Sequence, residues 1–260
     1  MLLADGLINI RCGRWQDVLA DVEQCDAVIC DPPYSARTHE GSDAAASITH
    51  DRAIRAVVGY EPMTSDDVRA LLSSWLPRTS SWTLFFCDDV LTSSYRGAAR
   101  AAGRFDFPPV PVLQHKPRLQ GDGPGSGAVY FMPSRPRERR FLSWGSLPGW
   151  YECAPERGTG IMGAKPLPLM RAIVRDYTRP GDLVVDPFCG GGTTALACAY
   201  ESRRCITSEM DPDTYALAVK RLERDLKGLD VAARQLRCFA DNEVKQAGKR
   251  LRRAKQGMLV

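Results

Sequence analysis

Histidine is scarce: three residues among 260, at positions 39, 50 and 115. Scattered this widely they make no metal-ligand spacing, and no metal is expected. The nine cysteines are an odd number, and no two have the Cys-x-x-Cys spacing of a zinc or redox centre. Most lie inside apolar segments, so reduced, buried thiols are expected, with no disulfide framework. Long hydrophobic runs are also absent. Stretches such as Thr83–Cys87 and Leu183–Val185 fall far short of the roughly 20 residues that span a bilayer. No basic flank precedes an apolar stretch in MLLADGLINIRCGRW, so no secretory leader is expected. Neither sign of charge dominates: 35 Lys and Arg face 31 Asp and Glu, a net +4 that hints only weakly at a polyanionic partner. Hydrophobic residues make up 44%, enough to offset chain entropy, which excludes disorder as the main state. A single large domain over 1–260 fits this length.

Along the chain, short apolar runs alternate with helical stripes. Strands are expected at Leu7–Arg11, Asp26–Cys30, Trp82–Cys87, Asp182–Val185 and Arg204–Ser208. Helices are expected at Trp15–Val22, from Thr64 onward through Val68, Leu71, Leu72 and Trp75, at Val90–Ala102, through Leu167–Tyr177, at Thr193–Tyr200 and at Asp211–Leu226. Val110–His115 and Ala128–Met132 read as a hairpin around a Gly/Pro loop, Arg118–Gly127. The alternation predicts a three-layer α/β fold of Rossmann-like type, with a mainly parallel sheet and a β-hairpin edge. Residues 35–62 form a long polar excursion, and a loop of that length in a compact domain is usually functional.

Two motifs carry chemistry. The first is Asp186-Pro187-Phe188-Cys189-Gly190-Gly191-Gly192-Thr193-Thr194, which follows a strand and opens a helix. Glycines at 190 and 192 let a ligand approach the backbone, and the free N–H groups of a helix start favour an anionic group. Glu209, at the end of the next strand, is placed to accept from a ribose diol. Alone, this pattern describes any adenosine-cofactor site, and its plain alternative is a Gly-rich turn with no ligand. The second motif is Asp31-Pro32-Pro33-Tyr34 after the strand ending at Cys30. A carboxylate and a proline carbonyl can both accept from one amino group, and a tyrosine supplies a flat face for a base. The lone pair of an exocyclic amine is delocalised into its ring. Two acceptors favour a tetrahedral nitrogen with a localised lone pair, ready to attack an electrophile. The plain alternative is a proline-punctuated turn.

Together the motifs resemble those of the S-adenosylmethionine-dependent DNA amino-methyltransferases, the enzymes known by an Asp-Pro-Pro-Tyr motif and a Phe-x-Gly-x-Gly loop. The catalytic motif precedes the cofactor motif by about 155 residues, which resembles the order of the permuted beta group. Trp82–Cys87, Gln114–Pro117, Gly163-Ala164-Lys165-Pro166-Leu167 and Glu209-Met210-Asp211-Pro212 are similar to further segments of that family. Two positions depart from it: Gly13-Arg14 stands where the family commonly has Gly-Asp, and no histidine precedes Lys165.

The resemblance implies S-adenosylmethionine as cofactor, held by Lys165, Asp186, Phe188, Cys189, Gly190, Gly192, Thr193, Thr194, Glu209 and Met210. It implies Asp31, Pro32, Pro33 and Tyr34 as catalytic and base-holding residues. Aspartate at the first motif position favours adenine N6 as the methylated atom, on a base flipped out of double-stranded DNA. The setting implied is the cytoplasm of a prokaryotic or phage-infected cell, away from membranes, with a homodimer and a partner restriction nuclease left open. Target reading is expected in 35–62 and in a short insertion, 133–163, whose Arg135, Arg137, Arg139 and Arg140 are candidate DNA contacts. A solvated charged loop is the plain alternative. The basic tail, 240–260, would add non-specific affinity. Rival functions are cytosine-N4 methylation, RNA or protein-amide methylation, a non-catalytic nucleic-acid-binding relative, and a nicotinamide oxidoreductase, the last of which leaves Asp31–Tyr34 unexplained.

Overall fold

The computed structural model describes residues 1–38, 60–120, 123–138, 144–154 and 164–229. Among them, ten strands form one sheet. Its centre is five parallel strands in the order β2 (Ile8–Cys12), β10 (Arg204–Glu209), β9 (Leu183–Asp186), β3 (Ala27–Cys30) and β4 (Thr83–Cys87). β1 (Leu2–Leu3) pairs antiparallel with β2. On the far side, β7 (Gly123–Pro136) runs antiparallel to β4 and forms a hairpin with β6 (Val110–Gln120). β8 (Tyr151–Cys153) lies outside β6 and parallel to it, while β5 (Arg104–Asp106) pairs with the end of β7.

Both faces of the sheet are covered, which is why β3 is apolar throughout and β4 and β9 nearly so. In β3, Ala27 and Ile29 face one core and Val28 and Cys30 face the other, the period of two that a strand imposes. One face carries α4 (Leu167–Tyr177), α5 (Thr193–Tyr200) and α6 (Pro212–Leu226), whose Met170, Ile173, Leu196 and Leu222 are fully buried. The opposite face carries α1 (Trp15–Val18), α2 (Ser65–Trp75) and α3 (Thr92–Ala101), with Val68, Leu71, Trp75 and Tyr95 buried. This is the three-layer α/β arrangement expected.

Local signals explain the helix starts. Thr64 caps α2 through a full capping box with Asp67. The Asp211 carboxylate accepts from the Thr214 N–H at 2.8 Å, and Pro212 opens α6. Nothing comparable caps α1: Arg14 makes no side-chain cap, and the helix ends at Val18, short of the expected Val22.

The Gly/Pro segment Arg118–Gly127 is mostly strand, where a loop was expected. β6 runs to Gln120 and β7 begins at Gly123. The register shifts between Leu113 and Arg118 and again before Gln120, so bulges absorb Pro117, which has no N–H for the ladder. Likewise, 133–136 continue β7 and 151–153 form β8, so part of the expected insertion is sheet. Residues 39–59 of the polar excursion and the 240–260 tail lie outside the described residues. Among the described residues, no helix is long and apolar enough to cross a membrane.

Candidate active site

The parallel strands β2, β10, β9, β3 and β4 all point their C-terminal ends at one edge of the sheet, where they deliver Gly13, Glu209, Asp186, Asp31 and Asp88. β9 and β3 are neighbours. From β9 the chain proceeds outward to β10, and from β3 it proceeds the other way to β4. A crevice forms where the winding reverses, the position at which open α/β sheets bind ligands. The two motifs meet there.

Asp186 ends β9 almost fully buried. Burial pushes its carboxyl up to about 8, and the nearby Asp31 and Glu209 charges push the same way, against the Thr194 hydroxyl and the Phe188 N–H. Beyond it the chain turns sharply. Gly190 and Gly192 have φ of +48° and +75°, a region glycine enters without strain. A Cβ on Gly192 would also lie 3.2 Å from Leu222 Cγ. The turn is tied to β10: Cys189 N–H donates to the Ser208 carbonyl at 2.8 Å, and Gly190 N–H donates to Glu209 Oε2 at 2.8 Å. Glu209 Oε1 accepts from the Asp211 N–H at 3.0 Å. Each Glu209 oxygen thus holds one backbone donor and keeps lone pairs for another. Burial raises the Glu209 pKa above its ordinary value.

The remaining residues expected to bind the cofactor divide by role. The Cys189 side chain lies in the core, so it can serve the crevice only through its backbone. The Thr193 and Thr194 side chains are buried and spent on the turn itself. Phe188 packs against the second core, and Met210 is 54% exposed beside Glu209. Lys165, also expected with the cofactor, forms an ion pair through its ammonium with Asp31 Oδ2 at the same edge of the sheet.

Asp31 itself is three-quarters covered, and its Oδ1 is buried with no hydrogen-bond partner among the described residues. Pro32 is buried. The Tyr34 hydroxyl is likewise buried and unpartnered among the described residues. Burial holds its pKa well above the ordinary value, reinforced by the Asp31 charge and by the approach of the two side chains to one another, which stops short of a full hydrogen bond. Polar atoms in this state are uncommon, because each forfeits a water hydrogen bond without replacement. They leave acceptor capacity to spare beside an aromatic ring.

Two residues of this region escape a motif reading. Asp88, just past β4, is buried, and its Oδ2 accepts from Ser35 N–H at 3.0 Å, Ser35 Oγ at 2.5 Å and Thr38 Oγ1 at 2.6 Å. Its Oδ1 accepts from Leu91 N–H at 3.3 Å. Met63 N–H donates to the Tyr34 carbonyl at 2.9 Å, so both ends of the polar excursion are pinned beside the Asp31–Tyr34 turn. Arg221 of α6, buried beneath the glycine turn, donates through Nη1 to the Gly191 carbonyl and to Thr193 Oγ1, both at 2.9 Å. In the sequence, the one sign of Arg221 is a charge on the apolar stripe of a helix, next to Leu222.

The candidate DNA contacts fare unequally. Arg135 is 3% exposed, stacks on Phe105 and Phe107 at 5.1 and 5.6 Å, and donates to the Pro136 carbonyl. It packs the β5–β7 edge and is withdrawn from any phosphate, because at this β7 position the side chain points into an aromatic cluster. Arg137 is exposed. Arg139 and Arg140 lie outside the described residues.

Residues 136–220 match the DNA methylase family. The matched span covers about a third of the chain and holds the Lys165 segment, the glycine turn and Glu209. One curated relative is the type II methyltransferase M.Cfr9I of Citrobacter freundii, 38% identical over 69 residues, which are 26% of this chain and 23% of that protein. The matches span only about a fifth to a quarter of the length of such relatives. Among solved structures, the M1.HpyAVI–SAM complex superposes with a TM-score of 0.60 at 19% identity, covering 83% of this chain and 99% of that one. The cytosine-N4-specific PvuII DNA methyltransferase superposes with a TM-score of 0.57 at 16% identity, covering 89% and 95%. The chain has the Rossmann-like methyltransferase fold.

Proposed function

We propose that this protein is an S-adenosylmethionine-dependent DNA methyltransferase acting on adenine N6. The observation that carries the reading is the Asp31–Tyr34 turn. It presents a buried, unpartnered carboxylate oxygen and an aromatic ring at the same sheet edge as the glycine turn and Glu209. The family match over 136–220 supports a DNA methylase. Aspartate at position 31 supports adenine through the family resemblance.

The residues present fit the cofactor. The positive-φ glycines leave the backbone of the turn open, and Glu209 keeps lone pairs for a ribose diol. When bound, the cofactor supplies an electrophilic sulfonium methyl. The protein's own residues prepare the acceptor. Asp31 and the Pro32 carbonyl take the two N–H bonds of the amine, which returns the lone pair to nitrogen. Tyr34 offers its ring face to a base withdrawn from the stack. Methylation would leave the nitrogen with one proton too many, and Asp31, the carboxylate placed on one of its N–H bonds, would be the group positioned to take it.

The test is mass spectrometry of DNA and RNA nucleosides from a host without endogenous methylation that expresses the protein. N6-methyldeoxyadenosine is the expected product, and sequencing of the same DNA maps its site. N4-methyldeoxycytidine in its place, methylation confined to RNA, or no modified base overturns the reading.

A further inference from the structure

The ion pair between Lys165 and Asp31 joins residues 134 positions apart, so it is a product of the fold. Lys165 stands just before α4, and its side chain is 13% exposed against 26% for Asp31. The ammonium lies 5.3 Å from the centre of the Tyr34 ring and 5.1 Å from that of Phe86. Both distances are within the range of a cation–π contact. A nitrogen donor therefore sits on the carboxylate of the catalytic motif, flanked by aromatic faces. An exocyclic amine on a stacked base would make the same contacts. The second oxygen of Asp31 has no partner among the described residues, so the mimicry is partial: one acceptor is taken and one is left over.

Resting on the function proposed above, we infer that the Lys165 ammonium is a placeholder for the target amine, which the incoming base must displace from Asp31. The placeholder offsets the cost of keeping the Asp31 carboxyl group three-quarters covered while no base is present. It also lowers the apparent affinity for the base by the fraction of molecules in which the subsite is filled. Lys165 is thus a specificity-determining residue of the base pocket, in place of the cofactor role its sequence neighbourhood implies. A base without an amine leaves the Lys165–Asp31 pair in place and meets no such cost, so Lys165 narrows the difference in affinity between a base that carries the amine and one that does not.

The test compares two duplexes containing the mapped site. One carries adenine at the target, and the other carries purine, which lacks the amino group. A 2-aminopurine beside the target reports unstacking. The quantity read is the ratio of dissociation constants, purine over adenine, for the full-length protein with a non-reactive cofactor analogue. Lys165→Met empties the subsite, and the ratio is expected to rise about tenfold, as removal of one competing ion pair would give. Lys165→Arg should lower the ratio below that of the wild type, because a guanidinium grips a carboxylate more firmly. Calorimetry of S-adenosylmethionine binding should differ by less than about threefold among the three proteins. An unchanged ratio in both variants overturns the inference. So does a tenfold loss of cofactor affinity in Lys165→Met without a rise in the ratio, which would return Lys165 to the cofactor site. A wild-type protein that methylates no adenine overturns the parent reading instead, and that result is read separately from the nucleoside analysis.

Discussion

The two turns at the sheet edge are built to opposite standards of completeness. The glycine turn after β9 is closed on itself: Cys189 and Gly190 N–H groups bind β10, Gly192 N–H binds the Cys189 carbonyl, and Arg221 holds the loop from below. Every support comes from the elements α5, β10 and α6 that follow it directly. The Asp31–Tyr34 turn after β3 is held by remote pieces, namely Asp88 past β4, Met63 at the return of the excursion, and Lys165 before α4. Even so, it leaves Asp31 Oδ1 and the Tyr34 hydroxyl unpartnered among the described residues. A cradle for a constant ligand can be finished in advance. Under the function proposed, the Asp31–Tyr34 turn receives a base for one step and then releases it, which suits a site that keeps its polar capacity open.

That contrast breaks most sharply at Asp31. Asp31→Ala removes one acceptor at the reacting nitrogen, and such losses lower turnover roughly a hundred- to thousandfold. Methyl transfer measured on the mapped duplex should show this, while cofactor affinity stays within a few-fold. Near-normal turnover would remove Asp31 from the chemistry.

Asp186 tests the finished turn through pH. Its carboxyl, raised to about 8 from 3.8, keeps a proton that the unfolded chain gives up near pH 4. The folded state binds more protons between these values, so this group's contribution falls as pH rises and is lost above about 8. Denaturant titrations from pH 5 to 9 should show the wild type losing on the order of a few kcal/mol along this limb. Asp186→Asn should flatten the limb, and an identical slope in both proteins would contradict the assignment.

Glu209→Ala removes the carboxylate shared by Gly190 and Asp211. Hydrogen bonds to a charged group are worth about 1.5–3 kcal/mol, so S-adenosylmethionine affinity by calorimetry should fall about ten- to a hundredfold. Binding of DNA alone should change little. The smallest expected effect is at Asp88. Asp88→Asn weakens the three contacts to Ser35 and Thr38 without emptying the position. It should cut kcat/KM on DNA about tenfold, through looser placement of Tyr34, with cofactor affinity unchanged. A drop confined to cofactor affinity would place Asp88 with the other turn.

What the sequence made legible follows the same division. The three-layer architecture, the central strands and the helix starts at Thr64 and Asp211 rest on local patterns, and the sequence shows them. The glycine turn and Glu209 lie within 24 residues of one another, and their arrangement is likewise local. β5 and β8 were not legible, because three-residue strands exist only through the neighbours they pair with. The hairpin was legible in Val110–His115 and Ala128–Met132, but the extension of its arms to Gln120 and from Gly123 was hidden by glycines and prolines that punctuate loops elsewhere. The burial of Arg135 and the Lys165–Asp31 pair were hidden for a related reason. A charge reads as exposed or ligand-bound until the fold supplies an aromatic cluster or a carboxylate from a distant strand.

The strand order also governs when the protein can form at all. Ile8 of β2 pairs with Cys205 of β10, and Ala27 of β3 pairs with Val184 of β9. The strands that open the chain have no parallel partner on one or both sides until β9 and β10 exist. Closing loops of this length is slow and rewards nothing until it is complete. On the ribosome, β2 and β3 must therefore wait for these partners through the synthesis of more than half of the chain, β3 with apolar residues on both faces. The N-terminal strands are the part of this molecule most exposed to misassociation during its birth.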